Sequence, residues 1–368
     1  MAGNSIGKEF IITSFGESHG RIVGITIDSC PAGLPLTEAD IQVDVDRRIP
    51  RNLKITSERV EKDKVTIQSG VFNGFTTGAP ITITVENRDV DSRDYDTLRD
   101  LPRPGHADYT TRMKYGMFND YRGSGRFSGR LTVALVLAGA VAKKLLNRFG
   151  VDVFAYTKAI GNVKLNRPMS YEQVRSQRYD TAVRCPDMET AKKMEEAIAS
   201  ARKDGDSLGG IIEIIGANVP VGVGEPLFDA LDADIAKILF TIPAVKGIEF
   251  GAGFKAATLR GSENNDAFQI VSGTVGTLTN NHGGILGGIS SGMPIVIRIA
   301  VKPTPSIAKE QQTVTLTAME NTTIKVTGRH DPCIVPKAVP AAEAAVAITL
   351  ADHMIRAGFI PKVLKEQD

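Results

Sequence analysis

Three arginines and three glycines are interleaved over residues 122–130, just ahead of the apolar run Leu131–Leu146. Glycine lets a backbone approach a ligand closely, and arginine binds phosphate or carboxylate through a planar fork of N–H groups. The start of a helix adds unpaired N–H groups and the positive end of its dipole. This segment therefore predicts an anionic ligand held at the start of a buried helix.

Histidine is the second residue type that could carry chemistry. The chain has five, and four of them lie in loops rich in Gly, Asn or Pro, namely His19, His106, His282 and His330. A histidine beside an anion site can protonate a leaving phosphate near neutral pH. Each loop histidine could equally be a surface residue or a satisfied hydrogen-bonding group. The fifth, His353, falls on a predicted helix, and we interpret it as structural.

Three further groups allow two interpretations each. Ser18 and His19 could form a nucleophile and base, but neighbours on an extended chain point to opposite sides and the Gly-x-Ser-x-Gly elbow is absent. Asp331 could act as a base, or form an Asx turn before Pro332. In residues 302–306 a lysine and two hydroxyls could hold a phosphate, or simply follow a strand.

Other site classes are not supported. Gly123-Ser-Gly125 is only a partial match to Gly-x-Gly-x-x-Gly, and the nucleotide-binding sequence Gly-x4-Gly-Lys-Ser/Thr does not occur. The three cysteines are far apart and lack metal-ligand spacing, so we expect no metal site and no disulfide framework: Cys30, Cys185 and Cys333.

Composition limits the partners. The 368 residues include 44 Lys and Arg against 42 Asp and Glu, a net charge of +2, which does not favour binding of nucleic acid or membrane through bulk charge. The basic residues are nevertheless clustered, which indicates a pocket for a small polyanion, or else a solvated basic face. The run Leu131–Leu146 is shorter than a membrane span and no leader pattern is present, so we expect a cytoplasmic protein.

Periodicity supplies the elements that would position these residues. It predicts strands at residues 10–13, 22–27, 81–85, 211–215 and 295–301, and helices at 37–48, 128–148, 188–202, 228–239 and 341–354. Thr37 and Asp40 resemble a capping box for the first helix. Gly150 suits the glycine position that follows the C-terminal end of the 128–148 helix. Apolar residues surround most of the 128–148 helix, so we expect it to be buried on several sides.

An internal similarity indicates two related halves. Residues 70–83 match residues 284–297 without a gap, with four identical Gly or Pro pairs and two identical Ile pairs. Each copy is a glycine-spaced turn leading into an alternating strand, followed later by a His-Asp element and a long apolar helix. Chance similarity between glycine-rich loops is the alternative. We predict a single domain over residues 1–368, with a pseudo-repeat at about 1–150 and 210–356.

Several ordered motifs together resemble the chorismate synthase family from Met1 to about Arg356. They are Gly16-Glu-Ser-His-Gly20, Arg103-Pro-Gly-His-Ala-Asp-Tyr-Thr110, Arg122-Gly-Ser-Gly-Arg-Phe-Ser-Gly-Arg130, Gly283-Gly-Ile-Leu-Gly-Gly-Ile-Ser-Ser-Gly292 and Gly328-Arg-His-Asp-Pro-Cys333. The resemblance implies an α+β fold, a β-α-β layered sandwich of antiparallel sheets around central helices in two pseudo-symmetric halves. It also implies a homotetramer.

The implied reaction is the last step of the shikimate pathway. It converts 5-enolpyruvylshikimate 3-phosphate to chorismate and phosphate by an anti-1,4-elimination that needs reduced FMN but has no net redox change. NADPH would enter only as an external reductant. The alternatives from the residues are an NADPH-dependent flavin reductase, alone or fused to the synthase, and a non-catalytic binder of polyanionic ligands.

The resemblance also implies residue roles. His19 would assist departure of the substrate phosphate, His106 would protonate the reduced flavin, and Asp331 would help flavin N5 take the C6 proton. The implied substrate ligands are Ser18, Arg48, Arg130 and Arg329. The implied FMN contacts are Arg126, Phe127, Ser128, Pro243, Ala244, Gly287, Lys302, Pro303, Thr304, Pro305, Ser306 and Arg329. Arg48 and Lys54 stand at positions that the family links to NADPH use.

Overall fold

The computed structural model describes residues 3–49, 63–88, 95, 97–271, 273–326 and 330–365. Eight α-helices lie within these residues: α1 (Glu38–Asp46), α2 (Asp108–Tyr115), α3 (Thr132–Arg148), α4 (Tyr171–Gln177), α5 (Met188–Lys203), α6 (Leu231–Leu239), α7 (Gly261–Asn264) and α8 (Val335–Arg356). Short 3₁₀ turns adjoin them at Thr97–Arg99, Arg122–Phe127, Gly129–Leu131 and Gly253–Thr258.

The first half of the chain forms an antiparallel five-stranded sheet. In chain order its strands are β1 (Ser5–Ile6), β2 (Ile11–Gly16), β3 (Ile22–Asp28), β4 (Thr66–Ile67) and β7 (Ile81–Glu86). Between β4 and β7 the chain forms a separate hairpin of β5 (Val71–Phe72) and β6 (Phe75–Thr76). The five strands of the sheet lie side by side in the order β1-β2-β3-β7-β4. Alternate side chains such as Ile25 and Ile83 are fully buried, which confirms the strands predicted at residues 22–27 and 81–85.

A second antiparallel five-stranded sheet comes from the rest of the chain. Its members are β8 (Asp152–Ile160), β9 (Val163–Lys164), β10 (Gly210–Ala217), β11 (Val245–Phe250) and β16 (Ile295–Val301), in the spatial order β11-β16-β10-β8-β9. Three further hairpins lie outside it: β12 (Phe268–Val271) with β13 (Thr274–Thr277), β14 (Ile285–Leu286) with β15 (Ile289–Ser290), and β17 (Glu310–Thr315) with β18 (Glu320–Lys325).

The two longest helices lie between the sheets. α3 and α8 pack against each other, α3 also contacts β2 and β3, and α8 contacts β8 and β10. A Cβ on Gly139 of α3 would lie only 2.2 Å from the Cβ of Ala344 on α8, so this glycine permits the close approach. The predicted sandwich of antiparallel sheets around central helices is therefore confirmed.

All five predicted helices form, but three of them begin at other residues than predicted. α3 begins at Thr132 rather than near Ser128, because residues 129–131 form a tighter 3₁₀ turn. α6 begins at Leu231 because residues 226–228 form a turn that is closed by a bridge between Glu225 and Asp229. α8 begins at Val335, six residues before the predicted start, since Pro336 is tolerated in a first turn and the helix continues through Pro340.

The two copies of the internal similarity have the same local conformation. Each forms a two-residue-per-strand hairpin followed by an inner strand of a sheet. The paired glycines also agree, with φ of +79° at both Gly74 and Gly288 and of +84° and +83° at Gly78 and Gly292. These positions need glycine because a side chain is strained at such angles.

Of the described helices, α8 alone has the length and hydropathy of a membrane span, and the apolar window is entirely buried inside the protein. A core helix passes the same test, so the feature follows from its central position.

Candidate active site

A cleft of about 850 Å³ lies where loops from both halves of the chain meet. It has the size of a small-molecule site. Its walls include most of the residues singled out from the sequence: Arg48, His106, Arg126, Phe127, Ser128, Arg130, Pro243, Ala244, Lys302, Thr304, Pro305, Ser306 and Asp331.

The arginine- and glycine-rich segment forms one wall through an unusual backbone. Gly123, Ser124 and Gly125 have consecutive positive φ values of 55°, 68° and 50°, which kink the chain within residues 122–127. The segment is thus a pair of 3₁₀ turns rather than the first turn of α3. Ser128 Oγ accepts the amide of Arg130 at 3.3 Å and caps the second turn.

Two of the cleft arginines share one carboxylate. Arg130 donates to both oxygens of Asp63 at 2.6 and 2.7 Å, and Arg48 donates to the same carboxylate at 3.3 Å. Asp63 is 5% exposed, so this ion pairing is shielded from solvent. Arg48 also donates to Thr132 Oγ1 at 3.1 Å, which ties it to the start of α3. The arginine side chains are therefore held in place at the cleft by the protein itself.

Arg126 has a different setting. Its guanidinium donates to Ser14 Oγ at 2.9 Å, to the Gly16 carbonyl at 3.2 Å and to Asn4 Oδ1 at 2.8 Å. It therefore fastens the 122–130 segment to β2. Phe127 is 40% exposed and packs at a tilt against Tyr115, so its ring offers the cleft an apolar surface.

His106 belongs to a hydrogen-bonded pair with a carboxylate. Its Nδ1 lies 2.7 Å from Asp108 Oδ1. Arg103 donates to both oxygens of Asp108 at 2.8 Å. Burial alone would raise the pKa of Asp108, but the hydrogen bonds from Arg103 and His106 outweigh burial and hold this pKa well below its usual range.

The opposite wall is built from two adjoining loops. The Lys302 amide donates to the Ala244 carbonyl at 2.9 Å, which joins the loop before β11 to the loop after β16. Lys302 Nζ reaches across to the Gly105 carbonyl at 2.7 Å. Burial, and then repulsion from Lys246, lower the pKa of Lys302. Within the described residues the buried Thr304 Oγ1 has no hydrogen-bond partner, so a ligand could supply one.

Asp331 lies just before α8 and faces the cleft. Lys337 from the first turn of that helix donates to both of its oxygens, at 2.7 and 2.8 Å. Lys337 also lines the cleft. The carboxylate therefore stands beside a fixed ammonium group.

Ser18 and His19 lie next to Gly123 of the 122–130 segment and are not among the residues that line the cleft. A Cβ on Gly123 would lie 2.2 Å from the His19 ring and 2.8 Å from Ser18 Oγ, so this glycine is required for their contact. The His19 ring meets Tyr95 edge-on at 5.2 Å. Ser18 Oγ is buried without a hydrogen-bond partner in the described structure.

Two further predicted residues are not among those that line the cleft, and two others lie outside the described part of the chain. Gly287 occupies the β14–β15 turn, and neither it nor Pro303 is among the lining residues. Arg329 and Lys54 lie outside the described residues. The sequence analysis did not predict three residues that the structure places at the site. Arg103 belongs to the Arg103–Thr110 motif, which also contains His106, so the motif could have identified it. Asp63 and Lys337 belong to no motif, and only folding brings them to the cleft.

An α+β sandwich whose cleft combines fixed arginines, a carboxylate-bound histidine and an acidic residue defines an enzyme acting on a small polyanion. Residues 10–355 match the family model of chorismate synthase. The chorismate synthase of Methanosarcina barkeri (strain Fusaro / DSM 804) is 54% identical over 367 residues, covering all of both chains. That of Korarchaeum cryptofilum (strain OPF8) is 52% identical over 356 residues, 97% of this chain and 98% of its own.

The fold agrees with these relatives. A crystal structure of chorismate synthase aligns with a TM-score of 0.76 at 31% identity, covering 95% of this chain and 93% of that one. The chain belongs to the chorismate synthase family. It is therefore a lyase of the shikimate pathway to aromatic amino acids, and the flavin-reductase alternative is not favoured.

Proposed function

We propose that the 850 Å³ cleft binds reduced FMN together with 5-enolpyruvylshikimate 3-phosphate and promotes the 1,4-elimination that gives chorismate and phosphate. The observation that carries this proposal is the meeting of His106, Asp331 and the Arg48–Asp63–Arg130 cluster around one cavity. These groups come from distant parts of the chain, and together they suit a substrate with two carboxylates and a phosphate.

Members of this family require a reduced flavin, and the residues present fit FMN. Phe127, Pro243, Ala244 and Pro305 offer apolar surface for a flat ring system, while Lys302 and the unpartnered hydroxyl of Thr304 suit its polar groups. Arg126, Ser128, Gly287, Pro303, Ser306 and Arg329 complete the proposed contacts. When bound, reduced flavin would supply electron density to the reacting allylic system. NADPH, for which Arg48 and Lys54 are candidate contacts, would serve only as an external reductant.

Substrate binding falls to the cationic wall. Arg48 and Arg130 are already oriented by Asp63, so little side-chain entropy is lost when they engage carboxylate or phosphate oxygens. The buried Ser18 hydroxyl would gain a hydrogen-bond partner from the substrate. Arg329 completes the proposed substrate ligands.

Proton chemistry is assigned to three side chains. His19 would donate to the departing phosphate, which a cationic site stabilises as the C–O bond breaks. Asp331, held by Lys337, would assist removal of the proton from C6 of the substrate. His106, oriented at Nδ1 by Asp108, would hold a proton at the flavin side of the cleft.

The assembly and location are also part of the proposal. We propose a cytoplasmic homotetramer that binds neither nucleic acid nor membrane. Exposed apolar side chains on one face of the β12–β13 hairpin support burial by another subunit: Phe268, Ile270 and Val275 are 70%, 71% and 62% exposed, and Ile270 lies directly opposite Val275.

An anaerobic assay tests the reaction. Purified protein with chemically reduced FMN and 5-enolpyruvylshikimate 3-phosphate should release chorismate and phosphate in equal amounts, with no net oxidation of the flavin. The Arg48→Ala, Arg130→Ala double variant is the matched control, and it should be strongly impaired at subsaturating substrate. Folded, flavin-saturated wild-type protein that yields no chorismate would refute the proposal. NADPH oxidation in the presence of oxidised FMN would instead support a reductase activity.

A further inference from the structure

Arg103 connects three loops of the cleft from a buried position. Its side chain is 4% exposed. Besides Asp108, the guanidinium donates to Ser306 Oγ at 3.0 Å and to Ser124 Oγ at 2.9 Å. Ser124 lies in the 122–130 segment and Ser306 in the 302–306 loop, so one side chain joins both to its own loop at 103–108.

The geometry requires a guanidinium. Arg103 reaches Asp108, Ser124, Ser306 and the His106 ring with a planar fork of five N–H donors, whereas lysine offers three donors at a single point. Its partner Ser124 has a φ of 68°, a left-handed conformation that is uncommon for a residue other than glycine. The hydrogen bond from Arg103 helps to hold that conformation and the hydroxyl near His106 Nε2, which is 3.4 Å away.

Asp108 links the Arg103 side chain to His106. It accepts from both the Arg103 backbone amide and its guanidinium, so the carboxylate cannot rotate freely. Its other oxygen contacts His106 Nδ1, which leaves Nε2 as the ring atom on the Ser124 side. A carboxylate in this position fixes the orientation and tautomer of an imidazole.

We propose that Arg103 and Asp108 are positioning residues: Arg103 holds the 103–108, 122–130 and 302–306 loops in the geometry that receives the cofactor, and Asp108 orients His106 for proton transfer. This inference rests on the proposed function, since it concerns the same cleft. Neither residue contacts the reacting atoms in this scheme, because neither is among the residues that line the cleft.

Two variants separate the roles. Arg103→Lys keeps the charge but cannot span the loops, so the dissociation constant of oxidised FMN, measured by fluorescence quenching, should rise about tenfold or more. Asp108→Ala should lower kcat about tenfold to a hundredfold while KM changes less than threefold, because the binding residues are untouched. Added formate should restore part of the lost kcat by supplying a carboxylate, and Asp108→Asn should not respond to it.

A second histidine–aspartate pair provides the control. His282 Nδ1 contacts Asp266, and its Nε2 lies 2.9 Å from Ser291 Oγ, yet none of the three lines the cleft. Asp266→Ala should affect the free energy of unfolding but neither kcat nor FMN affinity, and formate should have no effect on its rate.

The outcomes are distinct. FMN affinity within twofold of wild type in Arg103→Lys, or a kcat within twofold of wild type in Asp108→Ala, would overturn the corresponding half of the proposal. A rate loss in Asp108→Ala that formate leaves unchanged would indicate a purely structural role for Asp108. That result would also overturn the proposal that Asp108 orients His106. Should Arg103→Lys fail to fold, Ser124→Ala tests the link to the 122–130 loop by FMN affinity. FMN affinity does not depend on turnover, so it decides the Arg103 half even if wild-type protein makes no chorismate.

Discussion

At the residue scale, the site is organised by carboxylates that hold cationic or titratable groups. Asp63 lies between Arg48 and Arg130, Asp108 between Arg103 and His106, and Asp331 beside Lys337. Buried ion pairs cost desolvation energy unless their hydrogen bonds are satisfied. Here each pair fixes the direction of a side chain to which we assign a role in the proposed reaction, as a preorganised site requires.

His106→Ala tests the proton-transfer role at this scale. We expect kcat to fall about 10²- to 10⁴-fold, the usual contribution of a general acid or base. KM for the shikimate phosphate should change little, because the cationic wall is intact. Steady-state kinetics with reduced FMN under nitrogen measure both constants. A large rise in KM with an unchanged kcat would instead make His106 a substrate ligand.

At the element scale, two central helices carry the fold and the site is attached to their ends. Asp331 and Lys337 lie at the start of α8, and the 122–130 segment leads into α3. Both helices are buried along most of their length, so the positions of these ends are set by helix packing rather than by the loops themselves.

Gly139→Ala tests that packing. The added Cβ would lie 2.2 Å from Ala344 Cβ and 2.5 Å from its Cα, so the helices must separate. We expect the free energy of unfolding to fall by about 1–3 kcal/mol, although alanine is the better helix former. Urea denaturation measures the change. Gly261→Ala is the matched control because nothing lies within 4 Å of its added Cβ, and equal behaviour of the two variants would contradict this view.

Glu343 of α8 gives the fold a pH dependence. It is fully buried and accepts from Lys143 Nζ, Arg178 Nε and the Ala155 amide at 3.1, 3.0 and 3.0 Å. Burial alone would raise the pKa of Glu343, but Lys143 and Arg178 lower it from 4.5 to about 2. A folded pKa below the unfolded value stabilises the protein above pH 4.5, and this contribution is lost as pH falls from 4.5 to 2.

Glu343→Gln should therefore lower the free energy of unfolding at pH 7 by about 3 kcal/mol, because Arg178 loses its carboxylate partner and Lys143 is left with Asp44. The variant should also lose stability less steeply than wild type between pH 4.5 and pH 2. Denaturant titrations across that window measure both effects. Glu189→Gln on exposed α5 is the control, with an expected change below about 0.5 kcal/mol.

At the scale of the whole molecule, one cleft is formed by loops from both halves of the chain. The first half contributes Arg48, His106 and the 122–130 segment, and the second contributes residues 302–306 and Asp331. The two halves share a core, since α3 packs on α8 between the sheets. The division into pseudo-repeats at about 1–150 and 210–356 stays a prediction.

The homotetramer can be tested by light scattering during gel filtration. We expect a mass four times that of the 39.4 kDa chain. Ile270→Asp should lower this mass if the apolar face of the β12–β13 hairpin is buried between subunits, because a charge cannot be buried there cheaply. Thr323→Asp, on the exposed β18 strand, should leave it unchanged. A wild-type mass equal to one chain would refute the assembly.

The sequence by itself determined the elements, the family and most of the residues at the cleft, because helical and strand periodicity and contiguous motifs are local properties. Examples of such locally determined features are the strands at residues 22–27, 81–85 and 295–301 and the glycine-spaced turns. Only the tertiary structure decided that α3 begins after a 3₁₀ turn, that Asp63 joins Arg48 to Arg130, and that Arg103 reaches Ser306 across 203 residues of chain. Contacts between distant segments depend on how the sheets and helices pack, and no local pattern encodes them.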